Sequence, residues 1–491
     1  MTILFIARHF TYFRNFDSAI EALARQGHRV HLAADREDGL GGRGLVDLLA
    51  ARHPGITVGE TPIRAWGRYR RVASALRLGL DYLRYSDARF ADMPKIRRRA
   101  YDRAPLFILL LARLPGRRLL TWGLERLEEA VPTQAGIDEF VTERHPDLML
   151  ITPLIELGSP QLDYLRAARR HGIRSALCVW SWDHLSSKAL IRVRPDAVLV
   201  WNEIQRGEAA QFHGIPAAQV HVTGAQCFDR WFDRAPARGR AEFCRRAGLA
   251  DDRPFILYVC SALFRGSPSE AAFVRRWLEA IRAAGDEALG GMNILVRPHP
   301  QRLDEWQGQP PIEGAVLWGS NPIDDDGRAD YFDSLHHSAA VVGLNTSALV
   351  EAAIVDRPVF TVLAPEFHEN QEGTFHFHHL MTVGDGFLTT ARGLDEHVAQ
   401  LAAMARGDTP ARNASFVERF IRPRGRSVAA TPVFVETVEA LAAAPAPPRR
   451  ATPIWTYLLR PVVYALVLAG RLPLLERIYW NPAKLRQLAN A

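Results

Sequence analysis

Cysteine is scarce: Cys178, Cys227, Cys244 and Cys260 are the only four in 491 residues, and none stands in CxxC spacing. That excludes a disulfide framework and a structural zinc site, and fits a reducing compartment. No GxGxxG turn follows a strand, so a dinucleotide site of the NAD or FAD kind is not expected. HExxH is also missing. His368, His376, His378 and His379 cluster in sequence, but no carboxylates are placed to complete a metal site, and no metal is expected. No apolar run spans a bilayer, because Arg460-Pro461 interrupts the stretch 454–480 and Arg471-Leu472-Pro473 ends it. Residues 1–7 are apolar without a basic lead or a cleavage site, and read as a first strand rather than a signal peptide. The expected location is therefore the cytoplasm. No fixed-period repeat occurs.

What is present is ordinary globular material, 48% apolar and 23% charged, in a chain too long for one core. The net charge of +7 is uneven: between Arg64 and Arg118 fifteen Lys and Arg face four Asp. Such asymmetry points to a local anionic partner, a membrane surface or a polyanionic substrate. No nucleic-acid-binding motif accompanies it, and nucleic acid is not expected as a partner.

Apolar runs at 3–7, 29–34, 147–152, 174–180, 197–201 and 220–223 read as buried strands, separated mostly by helical patterns such as 18–26 and 161–171. A second series has strands at 255–260, 293–297, 339–344 and 358–363, with helices at 269–284 and 347–355. Alternating strands and helices imply parallel sheets covered on both faces. The expected fold class is α/β: two Rossmann-like, doubly wound parallel-sheet domains facing a cleft, with ligands beyond the carboxyl ends of strands. The expected domains are 1–235, carrying a basic helical insert at about 61–132, then 250–442, then an amphipathic helical tail at 450–491 behind the linker AAAPAPPRR. The tail suits the plane of a membrane interface; the structural alternative is a terminal helix packing back across the two domains.

The stretch 339–362, AAVVGLNTSALVEAAIVDRPVFTV, reads as strand, turn at Asn345-Thr346-Ser347, helix, turn and strand. Unpaired amides where a helix opens after a strand favour a pyrophosphate, and the Thr346 and Ser347 hydroxyls can add donors. Simple capping is the structural reading. Glu351 lies one position beyond capping-box spacing from Ser347, where a carboxylate can take a ribose diol or pair with Arg357. Strand 255–260 leads into Ser261, and strand 293–297 into Arg297-Pro298-His299-Pro300. The prolines fix an extended loop in which Arg297 can pair with a phosphate and His299 can donate to a leaving oxygen.

In the first domain the loop 8–16, RHFTYFRNF, is too bulky to hug a dinucleotide. Ser18 and Glu21 have capping-box spacing, so a helix is expected to start near Ser18. The loop suits an acceptor pocket with Arg8 and Arg14 as binding residues and His9 as general base; the alternative is core aromatics with solvated arginines. After strand 174–180, WSWDHLSSK offers stacked tryptophans and Asp183 as a second candidate base, or Asp183 as a turn cap. Asp324, Asp325 and Asp326 read as a solvated turn.

With VTGAQCFD at 222–229, YVCSALF at 258–264, RPHP at 297–300 and GLNTSALVEA at 343–352, the chain resembles the GT-B superfamily. The branch it resembles holds UDP-N-acetylglucosamine 2-epimerases, CDP-glycerol glycerophosphotransferases and capsule or surface-polysaccharide glycosyltransferases. The resemblance covers the second domain and the end of the first. It implies that Ser261, Arg297, His299, Thr346, Ser347 and Glu351 line a nucleotide-diphosphate pocket and that no metal or other cofactor is needed. The opening loop departs from the glycine-rich turn common in the superfamily.

The expected function is metal-independent transfer of a sugar from a nucleotide diphospho-sugar to a lipid-linked or surface glycan, at an anionic inner membrane face. A sugar epimerase would need a dense set of carboxylates that the sequence does not show. A polyol-phosphate transferase with a CDP-linked donor would share the RPHP loop, and a non-catalytic carbohydrate-binding or scaffold protein would need none of the candidate bases.

Overall fold

The computed structural model describes residues 1–34, 41–62, 67–133, 135–263, 266–322, 324–409 and 411–489. Arg64, which opens the basic stretch, and Phe264, which ends YVCSALF, lie outside the described residues. The chain forms two compact units, one made of Met1–Cys227 with Ala429–Ala491, the other of Phe228–Val428.

The first unit is built on seven parallel strands: β1 (Thr2–Ala7), β2 (Arg29–Ala34), β3 (Ile56–Glu60), β4 (Leu148–Thr152), β5 (Arg174–Cys178), β6 (Ala197–Val200) and β7 (Val220–Val222), in the order β3-β2-β1-β4-β5-β6-β7. Period-two alternation divides each central strand between two cores. In β1, Leu4 and Ile6 join one apolar cluster, while Ile3, Phe5 and Ala7 join the other. Both faces are thus covered, as near-continuous apolar strands require. Strand β3 departs from the sequence reading because, at the sheet edge, it is mostly half-exposed and shows no apolar run.

Two expectations for this unit are corrected. Helix Ala430–Ala443, expected in the second domain, belongs to the first unit: Phe434, Val435 and Val438 sit in the cluster with Phe5 and Phe16, and Glu439 meets His28 Nε2 at 2.8 Å. The capping box at Ser18 does not form. The helix is Asp17–Arg25 with Phe16 at its N-cap, and the Ser18 hydroxyl is taken up by Thr431 Oγ1 at 2.9 Å.

The insert is helical, with helices Arg70–Tyr85, Pro94–Arg103, Leu106–Leu111 and Arg117–Ala130. Part of its positive charge is internal rather than solvated. Arg77 is fully buried, its Nε donating to Glu128 at 2.8 Å and its Nη2 to both Asp163 oxygens at 2.8 and 2.9 Å, while Arg166 closes on Glu128 from the other side. Burial alone would raise the Glu128 carboxyl, but Arg166 and Arg77 hold it down at about 2. The tail belongs to the first unit. Its helix Ile454–Ala469 buries Val463 and Val467 in the insert's own core, with Leu76, Leu80 and Ile108. No helix among the described residues is long and apolar enough to cross a membrane.

The second unit carries six parallel strands, β8 (Phe255–Val259), β9 (Asn293–Arg297), β10 (Val316–Leu317), β11 (Ala340–Val342), β12 (Val359–Val362) and β13 (Leu388–Ala391), ordered β10-β9-β8-β11-β12-β13. Its core centres on Tyr258, Trp277, Val296 and Phe360. The acidic triplet is not a solvated turn throughout. Asp324 caps helix Asp325–His337 by accepting from the Gly327 amide at 2.7 Å, and Asp326 pairs with Arg238 and Arg246.

Candidate functional site

In the second unit the parallel registers bring three strand ends side by side: Val259 pairs with Arg297, and Tyr258 with Val342. The loops that follow are stitched together. The Cys260 amide donates to the Arg297 carbonyl at 3.0 Å, and the Asn345 amide to Ser261 Oγ at 3.1 Å. Gly343 permits this closeness, since a Cβ there would lie 2.9 Å from the Val259 carbonyl oxygen.

Ser261 is fully buried and its hydroxyl also donates to Glu270 at 3.3 Å, so it anchors the 345 turn instead of presenting a free hydroxyl. The Asn345 amide nitrogen Nδ2 is likewise committed, donating to the Asn370 carbonyl. Thr346 and Ser347 remain accessible, and their backbone amides have no partner among the described residues. Ser347 occupies the N-cap position of helix Ala348–Ile354 without a side-chain cap bond, so its hydroxyl does not play the capping role.

Arg297 is 4% exposed. Its Nη2 donates to the Ser320 carbonyl at 2.8 Å, its guanidinium lies 4.9 Å from the Tyr331 ring centroid, and its Nη1 has no partner among the described residues. Such an orphaned buried donor is uncommon in a folded chain. Gly319, at φ +120°, lets the guanidinium pass, as a Cβ there would meet Nη1 at 2.5 Å. The Tyr331 hydroxyl donates to Glu351 Oε2, so one aromatic ring ties Arg297 to Glu351. Glu351 does not pair with Arg357, whose guanidinium donates to the Val355 and Ser338 carbonyls. His299 accepts from the Gln301 amide on Nδ1 at 3.2 Å, which leaves the proton of the neutral ring on Nε2. Burial and Arg302 lower its pKa, so at neutral pH the ring is uncharged and can donate through Nε2.

The first unit gathers a second set at the ends of β1, β4 and β5. The Arg8 amide donates to the Thr152 carbonyl, and its guanidinium lies 3.5 Å from Glu156. Tyr12 stacks on His9 with centroids 6.0 Å apart, packs edge-on against Trp180 and donates to Glu156 Oε1 at 3.2 Å. Burial and Glu156 raise the Tyr12 pKa, so it stays a donor. His9, Arg8, Tyr12, Trp180 and Glu156 thus form one polar and aromatic cluster. Arg14 points to solvent outside it.

Asp183, a candidate base or turn cap in the sequence, is held by donors from its own turn. Ser181 Oγ, Ser187 Oγ and Lys188 Nζ donate to its carboxylate at 2.6, 2.9 and 2.9 Å, which makes it the anchor of its turn. His184 beside it is buried and held neutral, its pKa lowered to about 3 by desolvation. Glu156, Glu270 and Tyr331 were not singled out in the sequence. Glu156 lies in the loop after strand β4, beyond Pro153, Leu154 and Ile155, a position that sequence reasoning can find; nothing local marks Tyr331 or Glu270. Among the described residues no group of three or more His, Cys, Asp or Glu is arranged to hold a metal ion.

Neither a family model nor a curated protein matches the chain. Solved structures do. A glycosyltransferase from Rickettsia africae ESF-5 superposes with a TM-score of 0.50 at 10% identity, over 90% of this chain and 99% of that one. A UDP-GlcNAc 2-epimerase from Neisseria meningitidis gives 0.49 at 10% identity over 90% and 100%. A putative UDP-N-acetylglucosamine 2-epimerase from Listeria monocytogenes gives 0.48 at 11% identity over 92% and 99%. At these identities the likeness is one of fold. With two parallel-sheet α/β units of seven and six strands, and a superposition on the Rickettsia glycosyltransferase over nearly its whole length, the chain has the GT-B fold.

Proposed function

We propose that the chain is a glycosyltransferase that uses a nucleotide diphospho-sugar, with the second unit holding the donor and the first unit the acceptor. The observation that carries this reading is the buried Arg297 with its unpartnered Nη1, joined through Tyr331 to Glu351 beside the open amides of Thr346 and Ser347. A diphosphate supplies the oxygens that these donors need, and a ribose diol suits the anchored carboxylate. In the transfer step Arg297 and the two amides stabilise charge that grows on the departing diphosphate, and His299 Nε2 donates to a leaving oxygen. The acceptor hydroxyl loses its proton to His9 or to Glu156, which the Arg8 and Tyr12 contacts hold in place. No step in this scheme calls on a metal. The acceptor class proposed is a lipid-linked or surface glycan.

A sugar-epimerase reading shares the donor site, and two of the superposed structures are of proteins named 2-epimerases. Melting the full chain with UDP, GDP, CDP and TDP identifies the base, because only a bound nucleotide raises the midpoint. The matching nucleotide-sugar is then incubated with and without glycan acceptors and its products separated. Release of nucleoside diphosphate that depends on acceptor supports transfer. Conversion of the sugar without acceptor replaces transfer with epimerisation, and no shift with any nucleotide overturns the donor site.

A further inference from the structure

The helices of the insert and tail invert the usual pattern of a surface helix. In Ile454–Ala469 the inward face holds Thr456, Val463 and Val467, while the outward face holds Ile454 (83% exposed), Leu458 (76%), Val462 and Leu468. These recur at helical spacing, so they form a stripe along one side. Arg460 is the helix's single charged residue, and its guanidinium lies over the Tyr457 ring at 3.9 Å. No charge interrupts the outer stripe.

A second exposed group occupies the turn from Leu106–Leu111 to Arg117–Ala130. Leu110, Leu114, Leu119 (70%) and Trp122 (58%) project there, interleaved with Arg113, Arg117 and Arg118. The two groups adjoin. The Arg126 guanidinium covers the Trp455 ring at 4.9 Å, and Trp122 lies one turn before Arg126 on the same side of its helix. Exposed apolar area on this scale is uncommon on a monomer and marks an interaction surface.

Charge narrows what covers it. The basic excess of the insert is continued by the tail, where five Lys and Arg accompany Glu476 alone after residue 450. A cavity of about 460 Å³ in the same lobe is lined by Arg68, Arg70, Arg71 and Arg103 with Tyr479. Arg71 bonds the Gly470 carbonyl at 2.8 Å and Glu476 at 2.9 Å, so the cavity borders the tail segment that exposes Leu472 and Leu475. Arg68, Arg70 and Arg103 have no ion-pair partner among the described residues. A second copy of the chain would bring the same positive charge against this lobe. An anionic lipid surface complements both its charge and its leucines.

We propose that the insert and tail form a membrane-docking lobe for an anionic phospholipid bilayer. The leucines and Trp122 enter the boundary between headgroups and acyl chains, the flanking arginines reach back to phosphates, and the Arg-lined cavity takes a lipid phosphate. The inference is independent of the donor reading, because it uses none of the strand-end residues.

The test is flotation of the full chain with vesicles of phosphatidylcholine alone and of phosphatidylcholine mixed with phosphatidylglycerol. The expected result is partition onto the phosphatidylglycerol vesicles only, weakened by added salt. The triple variant Leu119→Ser, Trp122→Ser, Leu458→Ser is expected to lose about tenfold or more in partition with an unchanged melting midpoint, since all three side chains already face solvent. Arg117→Glu with Arg118→Glu is expected to abolish the preference for anionic vesicles. Failure of the wild type to bind, equal binding to both vesicles, or concentration-dependent self-association abolished by the triple variant would each overturn the proposal. Nucleotide-induced melting shifts, measured in parallel, report on the donor site separately.

Discussion

Burial lifts the Glu270 carboxyl from 4.5 to about 8, so at neutral pH the folded chain keeps a proton there that the unfolded chain has released. Its folded pKa lies above its unfolded one, so its contribution to stability is complete below about 4.5 and is lost as pH rises towards about 8. Glu270→Gln is expected to flatten that decline, read as urea midpoints across the window; parallel slopes for the two proteins would remove Glu270 as the source. Tyr331 makes a different prediction. Tyr331→Phe keeps the ring under Arg297 but releases Glu351, and nucleotide affinity is expected to fall about five- to tenfold, on the order of 1 kcal/mol, with little change in melting midpoint. Unchanged affinity by calorimetry would show that the anchored carboxylate does not touch the ligand. Such residues are hidden in the sequence for a physical reason: their roles come from contacts across the fold. The placement of Arg297, His299 and Glu351 was legible because each stands at or just beyond a strand end or in the helix that follows. Tyr331 lies mid-helix, and for Asp183 the sequence left a base and a turn cap open, with its three donors visible only in the fold.

At the scale of elements, central strands such as β1, β2 and β9 were legible almost to the residue, because strands buried on both faces must be apolar throughout. Among the edge strands β7 was legible, and the other three were not. β3 is half-exposed, β10 has two residues, and β13 reads Leu-Thr-Thr-Ala, so none shows a buried run. The insert's helices were expected, but not the ion pairs that fix them. Arg77 holds helix Arg70–Tyr85 to Glu128 and Asp163 without any solvent contact. Arg77→Met is expected to cost about 3–5 kcal/mol in chemical denaturation, because two buried carboxylates are left to share the single cation of Arg166. The same network sets an acid limit. Glu128 is held at about 2 against an ordinary 4.5, so its contribution is complete above about 4.5 and lost as pH falls towards about 2. If Arg77→Met unfolded with wild-type midpoints, the network would be dispensable.

For the whole molecule, two tandem parallel-sheet units were evident from the order of strand and helix, but the boundary was not. Helix Ala430–Ala443 follows the second unit in sequence yet completes the core of the first, a return that only Phe434 beside Phe16, 5.9 Å apart, reveals. The tail similarly belongs to the insert's core. The proposed function stands or falls on whether the strand ends of the second unit receive a nucleoside diphosphate through Arg297. Titration calorimetry of the full chain and of Arg297→Met with UDP, GDP, CDP and TDP tests it most directly. The predicted result is that one nucleotide binds the wild type and loses at least about tenfold in affinity to the variant, consistent with removal of a charge-assisted bond. Binding of equal strength to both proteins, or none to the wild type, would contradict it.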